Sequence, residues 1–123
     1  MSDTELLARA DAVADRAYAP YSGFHVGCAV LVRDGTVIEG VNVENAAYPL
    51  GVCGEKSAYV GAVTAGYRPG DFDLIVINAS PCGGCRQWLH EMGVERVVFR
   101  NGGRVVTMTT DELLPESFDS SNL

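Results

Sequence analysis

The sequence is poor in basic residues and has no long apolar run. Lysine and arginine together number 9 against 16 acidic residues, so the formal net charge is −7. An acidic chain without a Lys/Arg cluster is a poor candidate for binding nucleic acid or an anionic membrane. No apolar stretch approaches the ~20 residues that span a bilayer. We therefore expect neither a nucleic acid nor a membrane as a partner.

The first residues also lack the features of a secretory signal, because they contain no basic segment followed by an apolar core. We therefore expect a cytoplasmic location. The chain has 4 cysteines: Cys28, Cys53, Cys82 and Cys85. In a reducing compartment, closely spaced cysteines are more often metal ligands or catalytic groups than disulfides.

The pattern of apolar residues and turns predicts an α/β fold. The predicted helices span 3–18, 53–65 and 81–93, with a further short helical segment at 111–118. The predicted strands span 24–32, 36–44, 73–79, 95–100 and 104–109. This order indicates a three-layer α/β/α sandwich around a central five-stranded mixed sheet. The length predicts a single domain over residues 1–123, with about 119–123 as a mobile tail.

Cys82 and Cys85 form a C-x-x-C pair at the predicted start of a helix. Two thiolates at this spacing can bind one Zn²⁺, and the N–H groups of a helix N-terminus stabilise thiolate charge. A redox dithiol or a pair of buried thiols has the same spacing, so the pair alone does not decide between these and a zinc site. Cys53 lies at a second predicted helix start. Three thiolates leave a tetrahedral zinc one ligand short, which is typical of a catalytic site.

Glu55 follows Cys53 by two residues in a largely apolar helix. A carboxylate beside a metal could take a proton from a water molecule and pass it on. The alternative is a surface glutamate that stabilises the N-terminus of its helix.

The sequence CGE at 53–55, followed by PCGGC at 81–85, resembles the C-x-E…P-C-x-x-C signature of the cytidine deaminase family. The stretches YSGFHVG, GVNVENAAY, SPCGGCRQ and LLPESF resemble further family motifs in the same order. The resemblance implies a cytidine deaminase-like fold. It also implies zinc-dependent hydrolysis of cytidine and deoxycytidine to uridine and deoxyuridine, with release of ammonia, as in pyrimidine salvage.

The resemblance also implies roles for individual residues. One Zn²⁺ per chain would be bound by Cys53, Cys82 and Cys85, and Glu55 would be the proton carrier. The implied substrate contacts come from five positions: Phe24 at the pyrimidine, Asn42 and Glu44 at the ribose hydroxyls, Gly54 through its N–H at the ring carbonyl, and Phe118 at a neighbouring subunit's site. Small family members are homotetramers with shared active sites, and the same is implied here.

Two cations follow the implied ligands directly. Zinc and three thiolates sum to a charge of −1, and we expect Lys56 and Arg86 to moderate it. The family usually has arginine where this chain has Lys56. Four further departures put the substrate range in question: Ala47, Pro49, Gly51 and Gly54 stand where serine, glycine, threonine and alanine are common.

Three other functions compete with cytidine deamination. The nearest is deamination of a modified cytosine nucleoside such as blasticidin S. An ordinary ribose is favoured because Asn42 and Glu44 suit two free hydroxyls. This fits the predicted strand, in which both point to one side while Val41 and Val43 point to the core. A nucleic-acid editing deaminase needs a basic surface that the chain lacks. A non-enzymatic zinc module needs a fourth ligand, and the spare cysteine, Cys28, lies within a predicted strand.

Overall fold

The computed structural model describes residues 1–123, and these form one sheet with helices on both faces. The helices are α1 (Asp3–Val13), α2 (Gly54–Thr64), α3 (Gly83–Met92) and α4 (Thr110–Leu113). The strands are β1 (Gly27–Val32), β2 (Val37–Val41), β3 (Phe72–Ile77), β4 (Arg96–Asn101) and β5 (Arg104–Met108), and the order along the chain is α1-β1-β2-α2-β3-α3-β4-β5-α4. Short 3₁₀ turns occur at Ala14–Arg16, Tyr48–Leu50 and Ser120–Asn122. No helix has the length and apolar character needed to cross a membrane.

The sheet is mixed and has the strand order β2-β1-β3-β4-β5. Strands β3 and β4 are parallel, and every other neighbouring pair is antiparallel. A parallel pair needs a crossover connection, which α3 provides. The predicted five-stranded mixed sheet is therefore confirmed.

Apolar side chains cover both faces of the sheet, so the molecule has three layers. Helix α1 packs on one face, where Leu6 and Leu7 join a small core with residues of β1, β3 and β4. Helices α2 and α3 pack on the other face around Tyr59 and Leu89 in the larger core. The predicted α/β/α sandwich is confirmed.

Strands β1 and β2 are shorter than predicted by three or more residues, because a side chain and a loop take the backbone partners of the missing residues. Strand β1 begins at Gly27, since the Asn42 amide binds Val26 N–H at 2.8 Å and the Phe24 carbonyl at 2.8 Å. Strand β2 ends at Val41, since Val43 exchanges backbone hydrogen bonds with Val52 at 2.9 and 2.8 Å. The predicted core position of Val43 is wrong, because this side chain is 44% exposed.

A glycine lets α2 lie directly on β2. A Cβ atom at Gly40 would lie 2.5 Å from the Gly54 carbonyl oxygen and 2.6 Å from the Ala58 backbone nitrogen. Real Cβ contacts are never this short, so only glycine allows the first turn of α2 to rest here. That turn begins immediately after Cys53.

The chain ends in a short turn anchored near α3. The Asp119 carboxylate lies 3.2 Å from His90 Nε2, and the Ser117 hydroxyl lies 3.0 Å from the same nitrogen. The mobility of residues 119–123 and the single domain over 1–123 both stay predictions.

Candidate metal centre and substrate pocket

Three cysteines converge where α2 and α3 begin. Cys53 is the N-cap of α2, Cys82 is the N-cap of α3, and Cys85 lies in the first turn of α3. Their sulfur atoms all lie within 4.8 Å of one another. Zinc with ~2.3 Å bonds to sulfur and tetrahedral angles places two thiolates about 3.8 Å apart. The three residues thus fit a zinc ion in number, chemistry and spacing.

The thiols differ in how easily they ionise. For Cys82, burial acts to raise the pKa, but hydrogen bonds, chiefly from the Cys85 N–H at 3.5 Å, bring it below its ordinary value. Burial raises the pKa of Cys53 and, more strongly, that of Cys85. Binding a metal to all three as thiolates would displace the protons that these thiols carry, and burial opposes this most at Cys85.

Glu55 is the one charged residue buried in the protein, with 3% of its surface exposed. Burial raises the pKa of its carboxyl group, and the neighbouring Cys85 thiol offsets part of that rise. It occupies the second position of α2. Because it is buried there, the alternative of a surface glutamate is wrong. A buried carboxyl with a raised pKa beside a metal-binding cluster suits proton transfer.

A hollow of about 170 Å³ opens in front of this cluster. It contains predicted site residues from four segments of the chain: Phe24, Asn42, Cys53, Gly54, Glu55, Cys82 and Cys85. Three further lining residues, Val26, Ala79 and Ser80, were not predicted. Their positions beside the ends of β1 and β3 were the available signal, since sites often form where the strands of an α/β sheet end.

Two asparagines hold the segment that carries Phe24. The Asn42 amide binds the backbone of Phe24 and Val26, as described above. On the other side, Asn78 accepts from Gly27 N–H at 2.9 Å and donates to the His25 carbonyl at 3.2 Å. Asn78 was not predicted, because the predicted strand 73–79 included it; the available signal was a polar residue at the end of an apolar run.

Glu44 lies in a neighbouring hollow of about 300 Å³, lined also by Tyr21, Ser22, Asn45, Tyr48 and Gly51. Its carboxylate accepts from the N–H groups of Tyr21 at 2.9 Å and Ser22 at 3.1 Å, and from the Ser22 hydroxyl. Hydrogen bonding by Ser22 lowers the pKa of Glu44. Asn42 and Glu44 thus both stabilise the loop before β1.

Phe118 is not brought to either hollow within one chain. Its side chain is 60% exposed, and its carbonyl accepts from the Gln87 amide at 2.8 Å. A role for Phe118 in a site would have to involve another copy of the chain.

The two predicted cations have different surroundings. Arg86 donates to the Pro81 carbonyl at 3.0 Å and to the Leu113 carbonyl at 3.1 Å, which ties the start of α3 to α4. The Lys56 ammonium lies over the Trp88 ring, 5.3 Å from its centroid.

Of the four departures from the family pattern, Gly54 bears most directly on the hollow. A Cβ atom there would lie 3.3 Å from Val26 Cγ1. Gly51 lines the hollow around Glu44, and Pro49 lies in the 3₁₀ turn Tyr48–Leu50, which Ala47 precedes.

Comparison with known proteins assigns the chain to a family. Residues 1–101 match the family model described as "Cytidine and deoxycytidylate deaminase zinc-binding region", and the chain belongs to this family. It is 37% identical to the cytidine deaminase of Sporosarcina psychrophila, over 100% of this chain and 96% of that protein. It is 38% identical to that of Halalkalibacterium halodurans, over 96% of this chain and 95% of that protein.

Solved structures agree with this assignment. The crystal structure of a cytidine deaminase from Burkholderia pseudomallei is 41% identical and superimposes with a TM-score of 0.89, over 96% of this chain and 100% of that chain. A cytidine deaminase from Mycobacterium leprae is 36% identical with a TM-score of 0.80, over 94% of this chain and 99% of that chain.

Proposed function

We propose that the protein is a zinc-dependent hydrolase that converts cytidine and deoxycytidine to uridine and deoxyuridine, with release of ammonia. The observation that carries this proposal is the cluster of three cysteine sulfurs within 4.8 Å beside the buried Glu55. Family membership and full-length similarity to proteins named cytidine deaminase support the same reaction.

Cys53, Cys82 and Cys85 would hold one Zn²⁺ per chain, which would leave a coordination position open. Zinc bound in this way supplies Lewis acidity that lowers the pKa of water toward neutrality. The helix N-termini at Cys53 and Cys82 add favourable electrostatics for the thiolates. The chain offers no fourth cysteine at the cluster, since Cys28 is buried in β1 and its thiol lies 3.2 Å from the Gly54 carbonyl.

Glu55 would move the protons that the reaction requires. Its carboxylate takes a proton from the attacking water and gives it to ring atom N3 while the new bond forms at C4. It then transfers the second water proton to the amino group, which leaves C4 as ammonia while the oxygen becomes the uracil carbonyl. The raised pKa of Glu55 suits this role, because burial makes its carboxylate a stronger base toward the water proton.

The base would bind between Phe24 and the start of α2. Phe24 is 62% exposed and lines the hollow, so its ring is available for stacking on a pyrimidine. The N–H of Gly54 is among the first of α2, and such groups have no partner within their helix. It would donate to the ring carbonyl. Asn42 and Glu44 already make hydrogen bonds to the loop before β1. Each would use its remaining donor or acceptor positions to bind a ribose hydroxyl.

An assembly of several copies would complete the pocket, and we propose a homotetramer. The hollow of about 170 Å³ is smaller than the ~300 Å³ lower range of small-molecule sites, so one chain alone would bury a nucleoside incompletely. Phe118 is exposed on the short segment after α4 and would stack at the site of an adjacent subunit. A cytoplasmic location follows from the need for reduced thiols as ligands.

The experiment is a substrate panel on purified protein with zinc counted by metal analysis. We expect about one zinc per chain and turnover of cytidine and deoxycytidine, both lost on chelation and restored by zinc. The panel includes deoxycytidylate and blasticidin S. The extra room at Gly54 makes a bulkier substrate the alternative. Preferential turnover of blasticidin S would replace the proposed substrate, and absence of all turnover in zinc-loaded protein would refute an enzymatic role.

A further inference from the structure

The Lys56–Trp88 pair lies one helical turn below the metal-binding ends of two helices. Lys56 follows Cys53 by three residues in α2, and Trp88 follows Cys85 by three residues in α3. Residues three apart are neighbours on a helix surface. Both side chains line a third hollow, of about 190 Å³, together with all three cysteines. The pair therefore connects the two helices beside the cluster, at a hollow that Glu55 does not line.

The contact between the two side chains is a cation–π interaction. The Lys56 nitrogen lies 5.3 Å from the Trp88 centroid, within the ~6 Å at which such contacts are attractive. Lys56 makes no ion pair with any carboxylate, so the indole is the partner that fixes its position. Trp88 is itself only partly buried, with its apolar surface packed against the larger core. A rigid aromatic face thus restricts an otherwise flexible amine.

We propose that Trp88 is a positioning residue that holds the Lys56 ammonium beside the three thiolates, and that this cation strengthens zinc retention. The inference rests on the proposed zinc site. Zinc with three thiolates carries a charge of −1 before any further ligand, and a cation held nearby offsets it. Arg86 does not compete for this role, because its guanidinium donates to the carbonyls of Pro81 and Leu113.

A double-mutant cycle on zinc affinity tests the proposal, with affinity measured by competition against a chromophoric chelator. Partners of metal ligands typically change metal affinity by about 10- to 100-fold, so Lys56→Met should weaken binding by about 10-fold. Trp88→Leu should weaken it by about 2- to 5-fold, as expected from a partly exposed cation–π contact. The double variant should be no weaker than Lys56→Met, because Trp88 acts only through Lys56.

Conservative variants separate positioning from folding. Lys56→Arg keeps the charge and the stacking, and Trp88→Phe keeps a weaker aromatic face, so both should stay closer to the original affinity than Lys56→Met and Trp88→Leu. Arg104→Met removes one charge from the exposed strand β5 and should leave zinc affinity unchanged. Trp88 is the only tryptophan, so a changed emission in zinc-loaded Lys56→Met, absent from Arg104→Met, would support the contact in solution.

Three results would overturn the proposal. The first is that Trp88→Leu weakens zinc binding by the same factor with and without Lys56, which would make Trp88 a packing residue. The second is that the Lys56→Met variant binds zinc as tightly as the unmodified protein. Absence of zinc binding by the unmodified protein would refute the proposed metal site together with this inference, whereas the first two results would leave that site intact.

Discussion

Gly40 is the residue at which β2 supports the first turn of α2, and its replacement by alanine should displace the site. The added Cβ would lie 2.5 Å from the Gly54 carbonyl oxygen, whereas ordinary contacts begin at 3.4 Å. The obstructing atoms are two backbone atoms of the helix and the Cβ of Ala58, so no side chain can rotate away. Helix α2 would have to move by about 0.9 Å, the difference between those two distances.

This displacement has a predictable size of effect. Cys53 and Glu55 flank Gly54, so both would move with it. A misplacement of about 1 Å in a catalytic site can reduce the rate by ~10²-fold. Overpacking of this kind also destabilises a fold by roughly 1–3 kcal/mol. We therefore expect Gly40→Ala to fold with reduced stability, to lose about 10²-fold in kcat/KM for cytidine and to retain zinc less well.

Gly61 provides the matched control. It lies in α2, the helix that Gly40→Ala would displace, and a Cβ added at Gly61 would meet no neighbouring atom within 4 Å. Gly61→Ala should keep activity and gain roughly 0.5–1 kcal/mol of stability from improved helix propensity. The measurements are deamination kinetics, zinc content and denaturant unfolding of both variants. Unchanged kinetics in a zinc-loaded Gly40→Ala protein would show that the contact with α2 does not position Glu55.

Three further predictions concern the loop and the chain terminus. Phe118→Ala should raise KM for cytidine by about 5- to 150-fold, the range for a lost stacked aromatic, without releasing zinc; unchanged KM would refute its place in a neighbouring site. Glu44→Gln removes a carboxylate that accepts three hydrogen bonds from Tyr21 and Ser22, so KM should rise more than kcat falls, as steady-state kinetics would show. Hydrogen bonds from Ser121, and then from His90, lower the pKa of Asp119 from 3.8 to about 2. The contribution of this carboxylate to native stability is therefore complete above pH 3.8 and is lost as the pH falls through about 2. Carbon NMR should find this carboxyl titrating near 2, and a titration near 3.8 would contradict the hydrogen bonds.

The larger features of the fold follow from local sequence patterns. The apolar run before Asp34-Gly35 predicts β1, and the structure places Gly35 at φ 93° in the hairpin turn, as that dipeptide favours. The C-x-x-C pair and Cys53 predict metal ligands because the residue type and the spacing can both be taken directly from the sequence. What the spacing leaves open is their convergence, which depends on the packing of α2 beside α3.

The missed features depend on contacts between distant segments. Asn78 binds Gly27, which lies 51 positions earlier, and no local pattern specifies that pairing. The early end of β2 has a similar cause, since Val43 pairs with Val52 in place of β1. The alternation of apolar residues therefore predicted that Val43 points to the core. In the structure the strand ends before Val43, because Val52 takes its backbone hydrogen bonds.

The most direct test of the account is the Glu55→Gln variant, assayed for zinc and for turnover in the same preparation. Glutamine keeps the shape of the side chain and removes the proton carrier. Because the proposed ligands are Cys53, Cys82 and Cys85, zinc content should equal that of the unmodified protein. Turnover of cytidine should fall by at least ~10²-fold, the lower range for lost general acid–base catalysis. Near-normal turnover in zinc-loaded Glu55→Gln protein would contradict the assignment of Glu55.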